Sequence, residues 1–258
     1  GNNALTATHT NTADYNTAVG SEAGLAITSG TQNTAIGAAC LDATDTGSYN
    51  TGVGFGALGA DCVNNNVGVG ANALNAFTGS NATAVGSGAA DVASTASNLT
   101  AVGQAALGAC TDGLENTGLG YAAGQAITTG DFNTAVGSLA MSVSNANAVR
   151  NTAIGRGSLG TGANTDNNTS VGFNALNVFT GSDATAVGSG AADSLTGASS
   201  PNGAGTVAIG YNALTAAVNQ SYCTAVGFQA LDSLGQGGAT GGNNNTAVGT
   251  NTLGATID

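Results

Sequence analysis

Lysine and tryptophan are absent from this 258-residue chain, and histidine, methionine and proline occur once each. Arg150 and Arg156 are the only strong cations, set against fourteen carboxylates and a formal net charge of −12. Neutralising phosphates takes Lys and Arg, so DNA and RNA are excluded as partners. Aromatic residues make up 4% of the chain, too few for the core of an ordinary globule, so a thin, ladder-like core is expected. No apolar run approaches the ~18 residues that cross a bilayer, and membrane insertion is not expected. No leader pattern is visible: the chain opens on Gly1 in mid-repeat and stops at Asp258 partway into a unit. Both ends therefore read as cut from a longer array, without capping units.

Catalytic chemistry is equally scarce. His9 is the only histidine, in a terminal spacer where a solvated loop residue is the plain reading. Asp42, Asp45, Asp61 and Asp112 stand in spacers, but the Gly-Gly-x-Gly-x-Asp signature of calcium-binding β-rolls is missing. No phosphate-binding or dinucleotide fingerprint lies in a strand–helix context. No catalytic residue, cofactor or metal is expected, and the chain does not read as an enzyme. Cys40, Cys62, Cys110 and Cys223 lack any C-x-x-C spacing. They read as unpaired packing thiols, with a Cys40–Cys62 approach between adjacent units as the alternative.

What the chain has in abundance is glycine, 43 residues, and a repeat. A pentapeptide close to Asn-Thr-Ala-Val-Gly ends on Gly20, Gly37, Gly54, Gly70, Gly86, Gly103, Gly120, Gly137, Gly155, Gly172, Gly188, Gly210, Gly227 and Gly249. Gly1 fits the same column. Most gaps are 16 to 18 residues and two are 22. A period this short signals one small unit stacked many times. Disorder would not hold a Val/Ile column in register. The expectation is a single continuous array over 1–258, an all-β parallel β-solenoid of about 15 coils of ~17 residues.

Within each unit, Thr and Val/Ile alternate around a small residue, as in Thr17-Ala18-Val19. Alternation with β-branched residues on one face describes a short strand. Val67 and Val207 replace the threonine, which points to a buried face, because a hydroxyl in water has little reason to become an isopropyl group. The expected core column is therefore Val19, Ile36, Val53, Val69, Val85, Val102, Leu119, Val136, Ile154, Val171, Val187, Ile209, Val226 and Val248. Threonine hydroxyls are expected to bond backbone carbonyls inside the coil, leaving the Ala/Gly/Ser face open to close approach by another chain.

After the glycine, x-x-Ala-Leu reads as a second short strand whose leucines, Leu41, Leu58, Leu74, Leu107, Leu159, Leu176, Leu214 and Leu231, complete the core. Burying one Val/Ile and one Leu per coil contributes about 3–5 kcal/mol before ordering entropy, too little for a coil to fold alone. The asparagine before the threonine recurs, as at Asn33, Asn50 and Asn66. It reads either as an axial amide ladder or as a turn residue. Spacers with Thr-Gly or Ser-Gly steps are turns, and the two longest, at 194–206 and 232–245, are expected to protrude as loops. Val69–Asp91 and Val171–Asp193 match at 20 of 23 positions, the trace of a duplicated six-unit block.

Asn-Thr-Ala-Val-Gly-x-x-Ala-Leu followed by a Thr-Gly spacer resembles the repeats of viral and phage tail-fibre proteins. More distantly, it is similar to the head repeats of trimeric autotransporter adhesins. The resemblance covers essentially the whole chain, although these units are longer than typical adhesin-head repeats. It implies a left-handed parallel β-roll, a homotrimeric fibre and a structural role in attachment at a virion or cell surface. The implied partners are other copies of the chain and a cell-surface receptor or glycan. Self-assembly into an extracellular filament and ice binding through a threonine column are the rival expectations. Trypsin finds only two cleavage points, after Arg150 and Arg156. Exhaustive digestion is expected to leave at most three pieces on a denaturing gel, and a finer ladder would contradict that.

Overall fold

The computed structural model describes residues 1–7, 13–143, 146–161, 165–195, 204–215, 221–232 and 243–254. The described residues contain fourteen three-residue strands and no helix, and they form an all-β parallel β-solenoid. Two compact units divide the chain at Thr129/Gly130. The first holds β1–β7 (Thr17–Val19, Thr34–Ile36, Thr51–Val53, Val67–Val69, Thr83–Val85, Thr100–Val102, Thr117–Leu119). The second holds β8–β14 (Thr134–Val136, Thr152–Ile154, Thr169–Val171, Thr185–Val187, Val207–Ile209, Thr224–Val226, Thr246–Val248). Within each unit every strand pairs in parallel with the next, threonine over threonine (valine at 67 and 207) and Val, Ile or Leu over its counterpart in the next coil. Gly1 belongs to the column as expected, since Glu22 N–H donates to Asn2 C=O and Leu5 N–H to Ala23 C=O.

The landmark glycine has a backbone reason. Its φ runs from +125° to +143° along the column, a region closed to residues with a Cβ. A Cβ on Gly70 would stand 2.6 Å from the carbonyl oxygen of Gly86, and one on Gly137 2.7 Å from that of Gly155. Coil stacks on coil here through bare backbone. No other residue type fits.

The aliphatic column does not lie inside, which corrects the sequence reading. Val19, Ile36, Val85, Leu119, Ile154, Val187, Ile209 and Val248 are exposed, and Val53, Val69, Val102, Val136, Val171 and Val226 are half-exposed. The strand threonines share that outward face, and the small residue between them points in and is buried in every strand but β1. The interior decides this. A Cβ on Gly68 would meet Leu58 Cγ at 3.2 Å, and one on Gly118 would meet Leu107 Cγ at 2.9 Å. The leucine of the preceding coil already fills that space, so only Gly, Ala or Ser fits inward. The Thr-to-Val exchanges at Val67 and Val207 reflect equivalent fits to a half-exposed pleated surface.

The leucine column is buried as expected: Leu41, Leu58, Leu74, Leu107, Leu159, Leu176, Leu214 and Leu231 are all fully enclosed. Its segment is not a second strand, however. Two and four residues after each landmark glycine the chain has positive φ, as at Asn72 (57°) and Leu74 (55°). Left- and right-handed residues alternate, and successive N–H groups reach opposite ways along the stack: Asn72 to Phe55 C=O, Leu74 to Ala89 C=O. None of these positive-φ positions is β-branched, as the left-handed region requires. A further core column lies in the spacer seven residues after the glycine, where Ile27, Phe77, Ile127 and Phe179 are enclosed.

The asparagines form the axial ladder. Asn33 N–H donates to Asn16 Oδ1 at 2.8 Å, Asn50 N–H to Asn33 Oδ1 at 2.9 Å and Asn66 N–H to Asn50 Oδ1 at 3.0 Å. Asn133, Asn151 and Asn168 repeat it in the second unit. Each side-chain amide also spans the coil, as Asn50 Nδ2 does to Val63 C=O at 3.0 Å. Asn50→Ala removes the partner of the buried Asn66 N–H and of the Val63 C=O and is expected to cost about 1–3 kcal/mol. A lower urea midpoint by circular dichroism is the expected readout; an unchanged midpoint would show the ladder to be incidental.

Candidate interaction face

The outward side of each ladder is an extended surface that the repeat builds. Two columns run along it, one of threonine (valine at 67 and 207) and one of valine, isoleucine or leucine. Neither contains a charged residue. Rungs lie ~4.8 Å apart, the spacing of neighbouring strands. The strand threonines are half-buried or exposed, so this column faces solvent.

Aromatic side chains mark both ends of the strand. Tyr15, Tyr49, Phe132 and Tyr222 stand two residues before the strand threonine, and Phe55, Tyr121, Phe173, Tyr211 and Phe228 directly follow the landmark glycine. All nine are exposed, Tyr15 to 83%. The other two aromatics, Phe77 and Phe179, are the buried spacer residues, so every exposed aromatic flanks the strand face. Tyr211 stacks on Phe228 with centroids 5.3 Å apart and planes at 16°. The four preceding the strand have φ of 57–61°, a costly conformation for a bulky residue, held here by the inter-coil bonds around it.

The two arginines fall in one coil of the second unit, at the same two margins. Arg150 Nε donates to Asn167 Oδ1 at 2.8 Å, and Asn167 Nδ2 to Asp183 Oδ1 at 3.0 Å. The Arg156 guanidinium lies 5.7 Å from the Phe173 ring centroid, within cation–π range.

Elsewhere the surface offers little chemistry. An open groove of about 470 Å³ in the first unit is lined by Asn72, Asp91, Gln104 and Gln125, and one of about 320 Å³ in the second by Arg156, Asn174 and Asn177. Among the described residues no three of His, Cys, Asp and Glu are grouped to hold a metal ion. His9 lies outside the described residues, as do most of both long spacers, including Pro201. The four cysteines are buried and form no disulfide; Cys62 Sγ lies 3.2 Å from Thr44 Oγ1, and burial pushes the Cys40 thiol up to about 11. No helix is long and apolar enough to cross a membrane among the described residues. Comparison with protein-family models, curated proteins and solved structures gave no match.

Of the residues singled out from the sequence, the leucines converge in the core and the Val/Ile/Leu119 set forms the outward face instead. The aromatic margins were missed. Their signal was available as two fixed offsets from the landmark glycine.

Desolvation by burial raises the carboxyls of Asp42, Asp91 and Asp193 above the ordinary carboxylate range, with Glu22 adding to the effect at Asp42. The folded chain then holds protons that the unfolded chain has released, so stability falls as pH rises from the ordinary carboxylate pKa through the raised values. Thermal unfolding followed by circular dichroism is expected at a higher midpoint in mild acid than at neutral pH. The combined Asp42→Asn, Asp91→Asn and Asp193→Asn variant is expected to lose part of that slope; an unaltered slope would assign it elsewhere.

Proposed function

We propose that this chain is a structural segment of an extracellular or virion-surface fibre. It holds a tip or loops away from the particle and takes no part in catalysis. The observation that supports this most is the unbroken in-register pairing of successive strands in both units. A repeat in which each coil contacts only its neighbours extends by adding coils, and its length is set by copy number. The left-handed β-roll, the homotrimer and attachment to a receptor or glycan are part of the proposal, carried by the resemblance of the repeats. Loops repeated on several chains raise avidity without strong single contacts. Negative-stain electron microscopy of the purified chain is expected to show slender particles of uniform width and fixed length. Indefinite threads would favour the self-assembling filament, and compact globular particles would remove both readings.

One observation favours a second reading. The threonine column faces solvent on a regular ladder, as an ice-binding surface requires, although valine interrupts it at 67 and 207. Thermal hysteresis of the purified chain is the expected sign of that activity. A freezing point equal to the melting point would remove it.

A further inference from the structure

We infer that the threonine–valine face is the seam along which a second copy of this chain packs. This inference rests on the fibre reading and adds where the copies meet. An exposed, uncharged aliphatic column is costly in water unless something covers it. Among the described residues, seventeen of the twenty-three exposed large apolar side chains belong to this column or its aromatic margins. Both arginines stand at the same margins, and lysine is absent from the chain. Enrichment in Tyr, Phe and Arg with depletion of Lys is the compositional mark of a protein–protein interface core.

The repeat chooses the occupant. Every rung presents one Thr or Val and one Val, Ile or Leu outward, so a complementary partner must offer matching contacts every ~4.8 Å along its length. An ordinary globular partner has no such period. A second copy carries it by construction. Each unit offers seven rungs, which is roughly 600 Å² in plan from one aromatic margin to the other. By itself, each unit's face approaches the about 800 Å² that each partner contributes to a standard interface. The Ala/Gly/Ser side, which the sequence suggested for this contact, is closed inside the coil.

The test is sedimentation equilibrium on the full chain. The unaltered chain is expected to associate at micromolar concentration. A variant carrying Val85→Asn, Val102→Asn, Ile154→Asn and Val171→Asn changes only outward positions and is expected to bind at least about 100-fold more weakly, with its β-sheet circular dichroism retained. Hydroxyl-radical labelling of the unaltered chain gives an answer independent of that variant. Tyr49, Tyr121 and Tyr211 are expected to be protected at high concentration and modified on dilution. A monomer at every concentration, undiminished association of the variant, or labelling indifferent to concentration would each overturn the proposal. Thermal hysteresis from a monomer would give the face to ice instead. Association without slender particles in micrographs would sink the fibre reading alone, whereas slender particles built of single chains would sink this one alone.

Discussion

The close approach of backbone to backbone at the landmark glycine is the constraint from which the rest follows. With φ near +130° and the next carbonyl where a Cβ would stand, this column admits one residue type and one stacking distance. That fixes the register of the neighbouring strand, because a slip of one residue would set a side chain against a carbonyl oxygen. It also makes the coil narrow. Alanine and leucine fill the interior beside the strand, and the strand's own β-branched residues are displaced outward.

Polarity is thereby partly inverted. Asparagine lies inside and valine outside, against the usual partition. The asparagines are tolerated because their bonding is complete: a side-chain oxygen accepts from the next coil while the amide crosses to a spacer carbonyl. Burial of a fully bonded amide costs little, and loss of one partner costs much more. Where Ala82 and Leu99 replace asparagine, the ladder stops without leaving a side-chain amide unmet. The outward valines have no such compensation within the chain.

Periodicity made the solenoid, its parallel register and the leucine column legible in the sequence. It could not give the sense of the alternation. Thr-Ala-Val is compatible with either face inward, and residue volume decides which. A valine at 68 or 118 would have to share space with Leu58 or Leu107, and that conflict depends on how the coil bends after its glycine. The bend was the harder part. Leucine in the left-handed region, at Leu41, Leu58 and Leu74 alike, runs against its ordinary backbone preference. A reading by propensity therefore made a strand of what is a run of alternating turns.

A face alike at every rung has one weakness as a seam: translation by one coil costs it almost nothing. Register is weakly specified wherever a surface repeats without a mark. In the second unit the mark is the single coil with Arg150 before its strand and Arg156 after it, flanked by Asn167 and Phe173 in the following coil. Along the margin before the strand, Glu115 in the first unit and Asp183 in the second are the carboxylates a cation can meet, and the coils next to Asp183 offer threonine, valine or an uncharged margin. Charge pairs at a rim contribute little affinity but do discriminate between alignments. Two arginines in an otherwise lysine-free chain are thus enough to distinguish one alignment from its neighbours, while the aliphatic column supplies the adhesion common to all of them.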